Sequence, residues 1–127
     1  EGYYAISIGY YSHAEGHNTV AIGSASHAEG YFTTASGNYS HAEGWSTVAI
    51  GQHSHAEGFG SISNGGDSHA EGSFTQADGG YSHAEGHTSQ TTGVASHAEG
   101  FNTLPRRGIL YDSSGSIFPR RGLGDDS

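Results

Sequence analysis

Along residues 1–104 the side chains alternate in short runs closed by glycine. One run reads small, polar, small, polar, as in Ser26-His27-Ala28-Glu29-Gly30; the other reads polar, apolar, small, apolar, as in Thr19-Val20-Ala21-Ile22-Gly23. Period-two alternation is the mark of a strand, whose successive side chains point to opposite faces. Both runs return every fourteen residues: Ser-His-Ala-Glu-Gly begins at Ser12, Ser26, Ser40, Ser54, Ser68, Ser82 and Ser96, and Glu1-Gly2 fall where the end of an eighth copy belongs. A fixed period outranks local signals, and fourteen residues hold two short strands and two turns but no helical hairpin.

Numbered from its Ser, the coil is S-H-A-E-G-x-x-T-x-A-x-G-x-x, with glycine at position five from Gly2 to Gly100 and at position twelve from Gly9 to Gly93. Both glycine columns are expected at corners, supplying the positive φ of tight turns, with four-residue strands between them. The two strands of a coil oppose each other, so the faces that meet inside are the small ones, Ser and Ala from the first strand, Thr and Ala from the second. Stacked at strand spacing, seven coils give a rod roughly 34 Å long in which every column is a ladder. Ile6, Ile8, Val20, Ile22, Val48, Ile50 and Ile62 then point outward on one sheet. Such a stripe on a solenoid that buries little of its own is a predicted interface, and self-association would cover it. It weakens along the chain, through Thr34, Ser36, Asn64, Gln76, Asp78, Gln90 and Thr92.

Thr19-Val-Ala-Ile-Gly23 followed by Ser26-x-Ala28-x-Gly30, and Thr47-Val-Ala-Ile-Gly51 followed by Ser54-x-Ala56-x-Gly58, resemble the head repeat of YadA-like trimeric autotransporter adhesins, S-V-A-I-G-x-x-S-x-A-x-G. The resemblance covers residues 1 to about 104. It implies an all-β, left-handed parallel β-roll (β-solenoid) with 14-residue coils and two short strands per coil, homotrimeric, with the Val/Ile sheet turned to the axis. The His-Ala-Glu form of the motif is also similar to repeats of Gram-positive surface proteins and phage tail appendages, often followed by a self-cleaving chaperone domain.

Composition sharpens this picture. Hydrophobic residues make up 32% of the 127-residue chain and glycine contributes 22, too little apolar matter for an ordinary globular core. Low hydrophobicity with a net charge of −9 suits disorder as well, but the strict period argues against it. There is no cysteine, hence no disulfide or thiolate metal site, and no apolar run long enough for a membrane span. Residues 1–104 carry ten acidic groups and no Lys or Arg, which disfavours nucleic acid and anionic membranes as partners.

Ser12, His13 and Glu15 are residue types of a hydrolase triad, but adjacent Ser and His in a strand face opposite ways, and seven copies do not build one active site. No catalytic residue and no cofactor is therefore assigned. His13, His27, His41, His55, His69, His83 and His97 form one ladder beside a ladder of Glu15 to Glu99. Cross-coil His–Glu hydrogen bonding is the favoured arrangement, because stacked like charges repel. Shared Zn²⁺ or Ni²⁺ is its rival, since imidazoles one coil apart flank a carboxylate on the same face. Tyr3, Tyr31, Trp45, Phe59 and Phe101, with Tyr4, Phe32 and Phe74, gather at the corner after the first glycine, as a ligand ridge or as packing between coils or subunits. The Thr column suggests an ice-binding ladder only weakly, because it shares the face of the inward Ala.

Pro105 removes a backbone donor and ends the solenoid at Leu104-Pro-Arg-Arg-Gly108, and Phe118-Pro-Arg-Arg-Gly122 repeats the segment. Residues 1–104 are thus read as the solenoid and 105–127 as a cap or neck, in which Arg106, Arg107, Arg120 and Arg121 clamp carboxylates across subunits. The acidic terminus Asp125-Asp126-Ser127 suggests a cleavage end at Ser127, an arbitrary boundary being the alternative. Together these features point to a structural and receptor-binding segment of a trimeric extracellular fibre, on a virion tail or a bacterial cell surface, attaching to a host or bacterial glycan or protein. The alternatives are a passive shaft whose binding tip lies elsewhere, and a metal- or ice-binding solenoid.

Overall fold

A computed structural model describes residues 1–103; Arg106, Arg107, Arg120, Arg121 and Ser127, with the rest of the expected neck, lie outside the described residues. Every described strand is parallel and pairs with the strand one coil away. The first sheet runs through β1 (Gly2–Tyr3), β3 (His13–His17), β5 (His27–Tyr31), β7 (His41–Ala42), β9 (His55–Ala56), β11 (His69–Ser73), β13 (His83–His87) and β15 (His97–Ala98). The second runs through β2 (Ile6–Ser7), β4 (Val20–Ala21), β6 (Thr34–Ala35), β8 (Val48–Ala49), β10 (Ile62–Ser63), β12 (Gln76–Ala77) and β14 (Gln90–Thr91). The register keeps each column intact: His13 pairs with His27, Ala14 with Ala28, Glu15 with Glu29 and Gly16 with Gly30. The molecule is a parallel β-solenoid of about seven 14-residue coils.

The strands differ in length from the four-residue expectation. Those of the second sheet are two residues long, and several of the first run on through the glycine corner, as in β3 and β5. The inward faces are as the alternation requires. Ala21, Ala28, Ala35, Ala42, Ala49 and Ala56 are fully buried, and the largest buried side chains are threonines such as Thr19, Thr33 and Thr47. So narrow a core removes little apolar area from water. What accumulates instead is the backbone ladder: Ile6 N donates to Thr19 O at 2.8 Å, Val20 N to Thr33 O at 2.9 Å, Thr34 N to Thr47 O at 2.9 Å. Each such bond contributes about 1 kcal/mol net.

The corners correct the reading of the glycines. Position five does take positive φ, +111° at Gly16 and +108° at Gly30, but Gly23 and Gly37 at position twelve do not. There the requirement is closeness: a Cβ on Gly37 would lie 2.0 Å from the Gly51 carbonyl oxygen. The left-handed residues of the coil are instead positions seven and fourteen, which carry Asn18 (φ 55°), Phe32 (57°), Ala25 (54°) and Tyr39 (60°). That conformation costs roughly 1–2 kcal/mol in a residue with a Cβ. It turns the amide around. Strand residues donate to the following coil, whereas Asn18 N donates back to Tyr3 O at 2.8 Å, Phe32 N to His17 O at 2.9 Å and Tyr39 N to Ser24 O at 2.8 Å. The corners thus stay hydrogen-bonded, offsetting the strain.

Candidate functional site: the outer walls of the solenoid

The first sheet separates the residue types of a would-be triad. Ser26 is buried and its hydroxyl donates to the Gly23 carbonyl at 2.7 Å, with the same bond from Ser40 to Gly37 and from Ser82 to Gly79 at 2.6 Å. His27 lies on the opposite, outer face. Serine is therefore a corner brace and does not meet histidine.

On that outer face, imidazoles stack down the rod. From His27 to His97 successive rings lie 4.7–4.9 Å apart with planes within 1–2° of parallel, while His13 meets His27 edge-on. Each ring reaches the carboxylate of the preceding coil: His41 Nε2 to Glu29 Oε1 at 3.1 Å, His55 to Glu43 at 3.0 Å, His69 to Glu57 at 2.8 Å, His83 to Glu71 at 2.9 Å and His97 to Glu85 at 3.1 Å. A carboxylate only accepts, so Nε2 carries the proton. The His97 ring beside Glu85, with Glu99 helping, holds the Glu85 carboxyl below its ordinary value. At the first coils the pairing loosens: His27 Nε2 is 3.7 Å from Glu15 Oε1 and has no hydrogen-bond partner.

The corner after the first glycine carries a second stack. Tyr3, His17, Tyr31, Trp45 and Phe59 follow one another at 5.0, 4.8, 6.0 and 4.4 Å with interplanar angles of 21° or less. Ser73 interrupts it, and His87 with Phe101 resumes it at 5.0 Å. Phe74 turns edge-on to Phe59 over Gly60, where a Cβ would meet its ring at 2.8 Å. The expected ridge omitted His17 and His87, although both stand at coil position six with the other rings. The stack uses ring faces against ring faces, so what points outward is mostly ring edge.

On the second sheet Ile6, Ile8, Ile22 and Ile50 are exposed and Val20, Val48 and Ile62 half-buried. Where the apolar column gives out, Asp78 gathers three amides: Asn64 Nδ2 at 2.5 Å, Gln76 Nε2 at 2.9 and 3.0 Å, and Gln90 Nε2 at 3.0 Å. Partial burial pushes its carboxyl up, but the three donors outweigh that and hold it below its ordinary 3.8.

A stacked coil with ladders of identical side chains on its walls defines the class: a repetitive, fibre-type β-solenoid. The family model of the YadA head domain repeat matches two stretches of the chain, residues 1–26 and 28–54, and the coils that follow keep the same period and register. That family is one of trimeric, extracellular, structural adhesin heads and not of enzymes. No curated protein matches the chain. No described helix is long and apolar enough to cross a membrane.

Proposed function

We propose that this chain is a segment of a homotrimeric extracellular fibre, closed along the Val/Ile face of its second sheet and presenting its other walls for attachment to a cell surface. The observation that carries this is the contrast between inside and outside. Among the described residues the coil buries only Ala, Ser, Thr and corner Gly, while Ile8 stands 67% exposed and Ile6, Ile22 and Ile50 nearly half exposed in two adjacent columns of one sheet. Two further copies presenting the same column around an axis remove that surface from water, at about 25 cal/mol per Å². Ile6, Ile8, Val20, Ile22, Val48, Ile50 and Ile62 are the interface of this reading. Its partner is a glycan or protein of a host or bacterial surface, and its carrier a virion tail or a bacterial cell. A passive shaft is the second reading, favoured by the Tyr31–Trp45–Phe59 stack, whose ring faces are already covered and so are closed to the face of a sugar. Binding of the purified chain to cell-surface glycans and proteins, lost on Trp45→Ala, supports the attachment role; absence of binding to either supports the shaft.

A further inference from the structure

We propose that the His–Glu wall is a linear array of transition-metal sites, each made by two imidazoles of adjacent coils and the carboxylate between them, suited to Zn²⁺ or Ni²⁺. In His55, Glu57 and His69 one ligand atom from each residue lies within 4.8 Å of the others, and the same holds for His27, Glu29 and His41 and for the other described steps of the ladder. Two ligands bound to one ion at about 2.1 Å stand about 3.0–3.4 Å apart in octahedral or tetrahedral geometry. His69 Nε2 and Glu57 Oε1 are already 2.8 Å apart, and His41 Nε2 and Glu29 Oε1 3.1 Å. The neighbouring imidazole, whose ring lies 4.7 Å away on the same face with its plane parallel, completes the set by turning its ring so that its lone pair points at the same ion. His27 Nε2, without a hydrogen-bond partner and facing Glu15 Oε1 at 3.7 Å, shows the same pair held apart.

Binding needs no redox partner. The imidazole proton moves from Nε2 to Nδ1, the Nε2 lone pair and a carboxylate oxygen bind the ion, and water completes the coordination on the half-exposed side. The wall lies on the sheet opposite the Val/Ile face, so trimer closure leaves it open.

Sharing sets the stoichiometry. Each imidazole serves one ion, and ions one coil apart repel. The seven ladder histidines therefore pair into about three sites with one ring left over. Removing His55, an even member of the ladder, leaves two runs of three rings and about two sites. Removing His69, an odd member, leaves runs of four and two and still about three.

Titration calorimetry of the untagged chain with ZnCl2 and with NiCl2 at neutral pH tests this. Micromolar binding is expected to saturate near three ions per chain, near two in His55→Gln and near three in His69→Gln. No single carboxylate is obligatory, because the rings can pair in more than one way, but the double variant Glu43→Gln/Glu57→Gln takes one carboxylate from every arrangement of three sites and is expected to weaken one site at least about tenfold. Metal should raise the thermal midpoint, and a chelator should reverse the rise. Equal losses in His55→Gln and His69→Gln, or binding indifferent to the double variant Glu43→Gln/Glu57→Gln, would show adventitious surface histidine binding and overturn the proposal. A midpoint and a calorimetric trace unmoved by millimolar metal would overturn it outright.

Discussion

Each position of the coil acts through the direction its side chain takes, and the serines and threonines of the interior show how finely that sorts otherwise similar groups. Ser40 is buried and its hydroxyl donates to Gly37 O at 2.6 Å, whereas the Thr33 hydroxyl is equally buried and has no partner. Removing a made bond and removing an unmade one should move stability in opposite directions. Ser40→Ala is expected to lower the free energy of unfolding by about 1 kcal/mol, and Thr33→Val, of the same shape, to raise it by about 1 kcal/mol, read by urea denaturation. Asp78 gives a pH test. Its carboxyl is held below the ordinary 3.8, so its stabilisation is present above that value and is lost as pH falls through the lowered one. Asp78→Asn should therefore lose less stability than the natural chain between pH 5 and the acid limit. A parallel fall in both would contradict the assignment of the amide cluster.

The strands and corners divide into what alternation reveals and what stacking imposes. Period two was enough to place Ala28 and Ser26 inside, His27 and Glu29 outside, and Val20 and Ile22 on the far wall, because a narrow coil admits only small side chains between its sheets. The corners were harder. Tyr39 and Ala25 are not residues that favour left-handed backbone, so nothing in their type marks the positions where the amide turns back to the preceding coil. Gly37 looked like a turn glycine, but its need for no side chain arises from the next coil, a contact that no local pattern contains. Gly37→Ala is expected to be severely destabilising, by about 3 kcal/mol or more, because the clash is with backbone that cannot yield without breaking the stack. A circular dichroism melt within a degree of the natural chain would refute that. His17 and His87 are polar by type, and only their register with Tyr31 and Phe101, fourteen residues on, places them in the ring stack.

As a whole, the molecule is a wall-bearing rod with almost no core of its own, and the account rests on the claim that its apolar wall closes on two identical partners. The proposed metal array and attachment surface occupy other walls and do not depend on that closure. The proposed trimer is argued from the Val/Ile columns together with the YadA head repeat match over residues 1–26 and 28–54. Sedimentation equilibrium of the natural chain beside Ile22→Asp tests it most directly. The expected result is a species of about 39 kDa, three times the 13.1 kDa chain, that Ile22→Asp shifts towards the monomer. A natural chain that stays at 13.1 kDa at high concentration, or a trimer indifferent to a charge at Ile22, would contradict the account.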